Sequence, residues 1–570
     1  MMQTDVLVIG AGAGGLSAAM SASLGGLDVI IVEKTSHFGG TAARAGGLLW
    51  VPTNHMAMRD GVQDSLEEAR MYVAAEADES FKPQVVDSYL VNAPRMLVEY
   101  EKAFPAMKFV RNDVGADNHP SQPGAKSAGR CVSLPPLDGR ELGTHRKRLA
   151  PPLKTMTFLG MMVPVRDVLH FFNMWKSKAS LKIVMKLVRT HLYDLLTCGQ
   201  PMQLSNGAAL VGRMAKSVFD RGIPIWYDCP AHELIVRDGR IAGAVVLREG
   251  KPVAVLARRG VVLATGGYAF DKARRKALAP IPKLAEYVYT AARPGIDGDG
   301  LRMAEAVGAK VEDRLFNTIS WWPISLVPQR HRDPLVFPHF VDRAKPGFVM
   351  VNAAGRRFAR ESAIGNDLIR ALALSVDTGP VHAWLIGDHA AVRKFGIGMA
   401  RPAPLPIWPH LRSGYVTRGR SLAELAKKIG VDPDGLQDQI TRFNASAAKG
   451  EDPEYQRGAS ALEKRGGDPD CKPNPCLRPI ETGPFYAVRI LPGDFSTLAG
   501  LRTDGCARVL NAEGQPIPGL YAAGNDLSTM GGGHSPAGGF TLGPAVTFGF
   551  VAGQHLAGTL ESVDTEQTLA

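Results

Sequence analysis

The residues of this chain that could do chemistry lie in two glycine-rich stretches near its two ends. At the start, Gly10, Gly12 and Gly15 stand in the spacing G-x-G-x-x-G, with Ala13 and Gly14 between them. Gly10 allows a tight turn, Gly12 lets backbone approach a pyrophosphate, and Gly15 lets a helix pack closely on a strand. Glu33 ends the next apolar run, where a carboxylate can accept the hydroxyls of an adenosine ribose, and Lys34 follows it. Near the other end, His534, Ser535 and Gly539 stand in HSPAGG, which runs through Leu542 and Gly543 into an apolar helix. Free N–H groups at a helix start can hold an electron-rich group there. His534 titrates near neutral pH and is a candidate base. Asn118 and His119, in the irregular stretch 110–143, are the alternatives. A loop of that length is uncommon unless it is functional.

These groups need elements to position them. Residues 6–9 and 29–32 read as apolar strands flanking an Ala-rich helix, a βαβ unit. The small-residue loop after Glu33, KTSHFGGTAARAGG, offers Gly40 and Thr41 as a second surface for the same ligand. The apolar run VVLATGG at 261–267 reads as a strand of the same doubly wound sheet, ending on Ala264, Thr265 and Gly266. Asp238-Gly239 just before it is a hairpin signal. PGLYAAGND at 518–526 returns to that sheet and ends on Gly524 and Asn525. Between about 278 and 488 long Pro-rich connections interrupt short elements. The expected organisation is an α/β, Rossmann-like domain over 1–277, an inserted α+β cap domain over 278–488, and a return segment over 489–570.

The bulk properties narrow the function classes. The 570 residues suffice for two domains with substantial cores. Six cysteines are scattered without a CxxC, so no metal site is expected. With no secretory signal and no apolar run long enough to span a bilayer, the expected location is cytoplasmic. The net charge is +11 and the pI about 9.3, yet no nucleic-acid motif appears. Part of the excess charge sits in 158–200. There Arg166, Lys176, Lys178, Lys182, Lys186 and Arg189 alternate with apolar clusters against only Asp167 and Asp194. A basic amphipathic segment of this kind reads as a peripheral membrane contact, suited to a substrate that partitions into lipid.

Four separated features coincide in order: VLVIGAGAGGLSAA with Glu33, FGGTAARAGG, VVLATGG, and GLYAAGND with its Gly-rich exit into a helix. Together they resemble the flavoprotein subunits of the fumarate reductase and succinate dehydrogenase family, most of all the 3-ketosteroid dehydrogenases. GFVMVNAAGRRFARES and TLGPAVTFGF are similar as well. The resemblance implies FAD, held by the glycines and acid above, with a catalytic cap over the flavin ring. It also implies an oxyanion site at the Gly539 N–H aided by Ser535. The chain departs from the family pattern in places. No Arg follows His534, which disfavours a dicarboxylate substrate. Where the ketosteroid enzymes carry three tyrosines, this chain has Ser535, Gly365 and, in the long loop, Asn118.

The function the resemblance implies is an FAD-dependent dehydrogenase that introduces a C=C bond α,β to the ketone of a steroid or other cyclic ketone. A base takes the proton and flavin N5 the hydride. Two alternatives stay open. One is an enone or acrylate-type reductase running the reverse direction. The other is a peripheral membrane flavoprotein passing electrons to a quinone or a partner protein. Trp321 and Trp322 are read as lining an apolar pocket, or simply packing, rather than doing chemistry.

Overall fold

The computed structural model describes residues 2–113, 115–174 and 177–560; Trp175 and Lys176 of the basic segment lie outside them. The opening strand Met2–Ile9 is apolar and buried from Val6 onward, as a strand inside a parallel sheet must be. It pairs in parallel with Val29–Val32 on one side and with Lys251–Leu263 on the other. Ile225–Trp226 extends the sheet beyond Val29–Val32, and Pro516–Ala522 joins Lys251–Leu263 in parallel. Arg508–Leu510 pairs antiparallel with Pro516–Ala522, and the other two strands, Ala231–Arg237 and Arg240–Arg248, form an antiparallel hairpin. Its turn is Asp238-Gly239, both at positive φ (48° and 71°), the conformation such a two-residue turn demands.

Two helices lie together beneath the glycine turns. Ala13–Leu24 packs along Leu542–Ala557 through small residues. A Cβ at Gly549 would sit 2.4 Å from the Gly14 carbonyl, and one at Gly553 would sit 2.5 Å from the Ser21 Cβ. Two hydroxyls finish the contact: Ser17 donates to the Val546 carbonyl at 2.5 Å and Ser21 to the Phe550 carbonyl at 2.7 Å. Close packing sets the starts of both helices side by side.

The cap is an antiparallel sheet in the order Arg332–Pro338, Ile319–Gln329, Phe485–Thr497, Ala383–Gly387, Phe348–Val351, with Thr417–Gly419 also on Phe485–Thr497. The long strand Phe485–Thr497 carries this sheet past residue 488, because Thr497 still pairs with Ile319. Pro492 and Gly493 interrupt the strand pattern in the sequence. In the sheet they face Pro323 and Trp322, so pairing continues through them.

The basic segment forms a short hairpin (Thr157–Phe158, Met161–Met162), a short helix Val168–Asn173 and the longer helix Lys178–Cys198. Val184, Leu187, His191 and Asp194 are buried, while Met185, Leu192, Leu195 and Leu196 face outward. Asp194 anchors the helix by accepting from Arg140 at 2.7 Å and from the Met202 N–H at 3.0 Å. No helix among the described residues is long and apolar enough to cross a membrane.

Candidate active site

A cavity of about 1070 Å³ runs from the opening turn to the cap. Gly10, Gly12, Ala13 and Gly14 line its floor with Glu33, Lys34, Gly40 and Thr41. Ala264, Thr265, Gly266, Gly524, Asn525 and Leu542 complete that end. Gly15 and Gly543 lie behind the wall. A Cβ at Gly15 would meet the Gly10 carbonyl at 1.9 Å, and one at Gly543 the Tyr89 hydroxyl at 2.5 Å, so both glycines serve close packing. Gly10 has φ 110° and its Cβ would lie 2.2 Å from the Ala264 carbonyl. At Gly12, which caps Ala13–Leu24, a Cβ would meet nothing within 4 Å and would project into open space. That is the shape of a backbone cradle for a phosphate.

Side chains complete the cradle. The Glu33 carboxylate accepts from the Ala11 N–H at 2.9 Å, and from the Thr35 N–H and hydroxyl at 2.9 and 2.8 Å. It is thereby oriented and keeps about one of its roughly four lone-pair positions. Lys34 is engaged by Asp297 and Asp299 at 2.7 and 2.8 Å; burial works against its charge, but these two acids raise its pKa. Asp526, fully buried, accepts from the Thr265 N–H and hydroxyl and from the Gly267 N–H, stapling the ends of two parallel strands. Burial pushes its carboxyl pKa up.

Two cations that the sequence reading passed over, Arg44 and Arg293, also line the cavity. Arg44 donates to the Ala291 and Ala292 carbonyls, and the buried Nη1 of Arg293 has no partner. Neither makes an ion pair among the described residues. Desolvation lowers both pKa values; the Arg293 guanidinium lowers that of Arg44 further, and Glu33 partly offsets the shift at Arg293. Half-buried cations with no ion-pair partner carry a desolvation cost, and a pyrophosphate beside the Gly12 cradle would supply two negative charges to the same cavity. The residues present therefore fit FAD. The signal was available in the sequence, since Arg44 is the lone cation in FGGTAARAGG.

The cap end of the cavity is apolar. Trp322, Phe340 and Phe495 form an aromatic cluster, with ring centroids 4.8 to 5.7 Å apart. Leu153, Met156, Val163, Val165 and Val168, from the basic segment and the stretch before it, supply another wall. Gly365 is required here, because a Cβ would sit 2.3 Å from the Trp322 ring. The indole fills the space a side chain at 365 would take.

Ser535, Gly539 and Asn118 line the same cavity, whereas His119 and His534 do not. Gly539, at φ 90°, has an N–H that donates to nothing among the described residues. His119 is held between two carboxylates, Nδ1 at 2.7 Å from Glu76 and Nε2 at 2.9 Å from Asp367. Burial pulls its pKa down, but the two acids outweigh it and push it up to about 9. It is an imidazolium at neutral pH and has no free nitrogen to accept a proton. His534 stacks on Phe316 at 4.2 Å, and burial lowers its pKa. Asn118 instead donates from Nδ2 to the Ser535 carbonyl at 2.7 Å, and its N–H to the Pro536 carbonyl at 2.7 Å.

Comparison with known proteins gives the family. The FAD binding domain family matches residues 5–542. The 4-oxocyclohex-2-ene-1-carboxylate 5-dehydrogenase of Sinomonas cyclohexanicum is 35% identical over 557 residues, covering 97% of this chain and 93% of that enzyme. The 3-oxosteroid 1-dehydrogenase of Mycolicibacterium smegmatis is 33% identical over 569 residues, 97% of each chain. The crystal structure of 3-ketosteroid delta1-dehydrogenase from Sterolibacterium denitrificans, in complex with 1,4-androstadiene-3,17-dione, superposes with a TM-score of 0.91 at 31% identity, covering 98% of this chain and all of that one. The chain belongs to the FAD binding domain family, and within it is an FAD-dependent oxidoreductase acting on CH–CH bonds, like the 3-ketosteroid dehydrogenases.

Proposed function

We propose that this chain desaturates a cyclic ketone, steroid or smaller alicyclic, at the bond α,β to its carbonyl. The observation that carries the reading is that the unengaged Gly539 N–H and Ser535 both stand on the wall of a cavity that joins the FAD cradle to an apolar chamber. Two donors aimed at one oxygen stabilise the negative charge that develops there as the α-proton leaves. FAD, when bound, supplies the hydride acceptor. The Trp322, Phe340 and Phe495 rings exclude water and offer a flat apolar surface to an alicyclic ring. Neither His119 nor His534 is assigned as the proton acceptor, since one is charged and doubly bonded and both lie off the wall. Its relatives' substrates suggest the panel for a test: anaerobic titration of the purified holoenzyme with 3-ketosteroids and 4-oxocyclohexane carboxylates. Loss of the oxidised flavin band is expected with one or more of them. No bleaching with any ketone, together with reoxidation of prereduced enzyme by an enone, would replace this reading with the reductase.

We further propose that the basic segment rests on a membrane surface. Lys178, Lys182, Lys186 and Arg189 are exposed on the same helix as Met185, Leu192 and Leu196, and Leu196 is 87% exposed. Cations flanking exposed apolar side chains suit an anionic bilayer surface. Val163, Val165 and Val168 of this segment line the cavity, so an apolar ketone could pass from lipid to the chamber beside it. Co-sedimentation with phosphatidylserine vesicles tests it, and equal recovery with and without vesicles would refute it.

A further inference from the structure

Ser535 is gripped by an amide whose orientation can be deduced. Asn366 is buried, in the first turn of the helix Gly365–Leu374. One of its terminal atoms lies 2.6 Å from the Trp321 N–H, which can only donate, so that atom is Oδ1. The other lies 3.2 Å from the Gly533 carbonyl, which can only accept, so it is Nδ2. The same Nδ2 is 3.1 Å from Ser535 Oγ. An amide nitrogen cannot accept, so Ser535 Oγ must accept there and its own proton must point elsewhere. The main chain at this point is fixed as well. Asn118 holds the Ser535 carbonyl, and the Tyr72 hydroxyl and the Asn118 N–H hold that of Pro536. Ser535 lines the cavity, which is where its remaining proton can go. Gly365 makes the arrangement feasible: with no Cβ, the helix starts close against Trp321 and Trp322, and Asn366 reaches the Trp321 N–H.

We infer that Asn366 is a positioning residue that commits the Ser535 proton to the ligand, so that Ser535 and Gly539 form a donor-only site for a carbonyl or phenolate oxygen. This rests on the reading that these two groups face the substrate oxygen. A site of this kind binds an oxygen more tightly as its negative charge grows, and it disfavours a hydroxyl that must donate.

Para-substituted phenols of decreasing pKa, titrated into the holoenzyme at one pH and followed by the flavin absorbance, test both statements. In the wild type, affinity should rise steadily with phenol acidity. In Asn366→Asp the carboxylate accepts from Trp321 and from Ser535, turning the hydroxyl proton inward. The slope should flatten, and the most acidic phenol should bind about 10-fold more weakly, the scale of one lost hydrogen bond to a charged group. Ser535→Ala should flatten it equally, and the double variant should be no worse than either single one. Asn366→Ser, which releases the hydroxyl without adding charge, should fall between and serves if the aspartate variant does not fold. If both Asn366 variants keep the wild-type slope while Ser535→Ala loses it, Asn366 does not direct the proton. If Ser535→Ala also keeps the slope, the oxyanion reading itself fails.

Discussion

Two glycine loops open into two helices that lie side by side, and they are built on opposite plans. The loop at Gly10–Gly15 is backbone work: its glycines exist because a Cβ would strike Ala264 or the loop itself, or would occupy the cradle. Its instructions are local. The loop at 531–541 is held by side chains from distant elements: Tyr72, Asn118 and Asn366 reach it from three parts of the chain. The first plan fixes a cofactor shared by many proteins. The second leaves room to change the chemistry by exchanging the side chains that hold the loop, without altering its glycines.

The contrast can be broken first at the cradle. Gly10→Val introduces a branched Cβ at positive φ against a carbonyl, a cost of about 1–3 kcal/mol from overpacking alone. The purified protein should be colourless, and a yellow protein with normal flavin content would show the cradle to be tolerant. In the second loop, Ser535→Ala should keep its flavin and its KM while losing about 100-fold in kcat, the scale of one oxyanion donor. An equal loss in KM would mean that Ser535 merely binds.

A weaker effect separates the two halves by pH. His119 joins Glu76 on the helix Leu66–Ala77 to Asp367 on the cap helix. Its pKa of about 9 lies above the ordinary 6.5, so its protonation stabilises the fold fully below about 6.5 and that contribution fades as pH rises through 9. Glu76 and Asp367 face it directly, and its charge bears on His534, on which Arg370 also acts. The Tm of the wild type should therefore drop between pH 7 and pH 10 by more than that of His119→Gln; parallel curves would remove His119 as the link. The smallest effect concerns the basic segment. Leu196→Ala should lower vesicle binding at least about 10-fold, since burying one leucine away from water is worth roughly 1.5–3 kcal/mol. Activity on a water-soluble ketone should stay unchanged.

The sequence was legible where structure is local. Gly10, Gly12, Glu33 and the strand ends at Ala264 and Gly524 declare themselves because a turn, a close approach or a strand terminus restricts residue type over a few positions. Asn366 could not be read that way. Its partners lie 45 and 169 residues away, and an isolated asparagine in a helix start looks like a capping residue. His534 shows the converse: a histidine in a Gly-rich loop advertises chemistry, and nothing local in the sequence announces the Phe316 ring stacked on it. Trp322 was expected on the pocket wall and stands there, but that it fills the space at Gly365 is a tertiary fact.

The long strand Phe485–Thr497 has one more consequence. Its Asp494 is fully buried against Arg275 at 2.8 Å, and the Ala291 N–H donates to the Asp494 carbonyl. The outgoing connection into the cap is thus fastened to the returning one. Lifting the cap as a lid would strip that ion pair, at about 3–5 kcal/mol. With the cap fastened, the 153–168 edge offers a route for guest exchange, since Met156 there is both solvent-exposed and on the chamber wall. Turnover would be set by whatever lies against that edge, whether detergent, bilayer or bulk water, rather than by the motion of a domain.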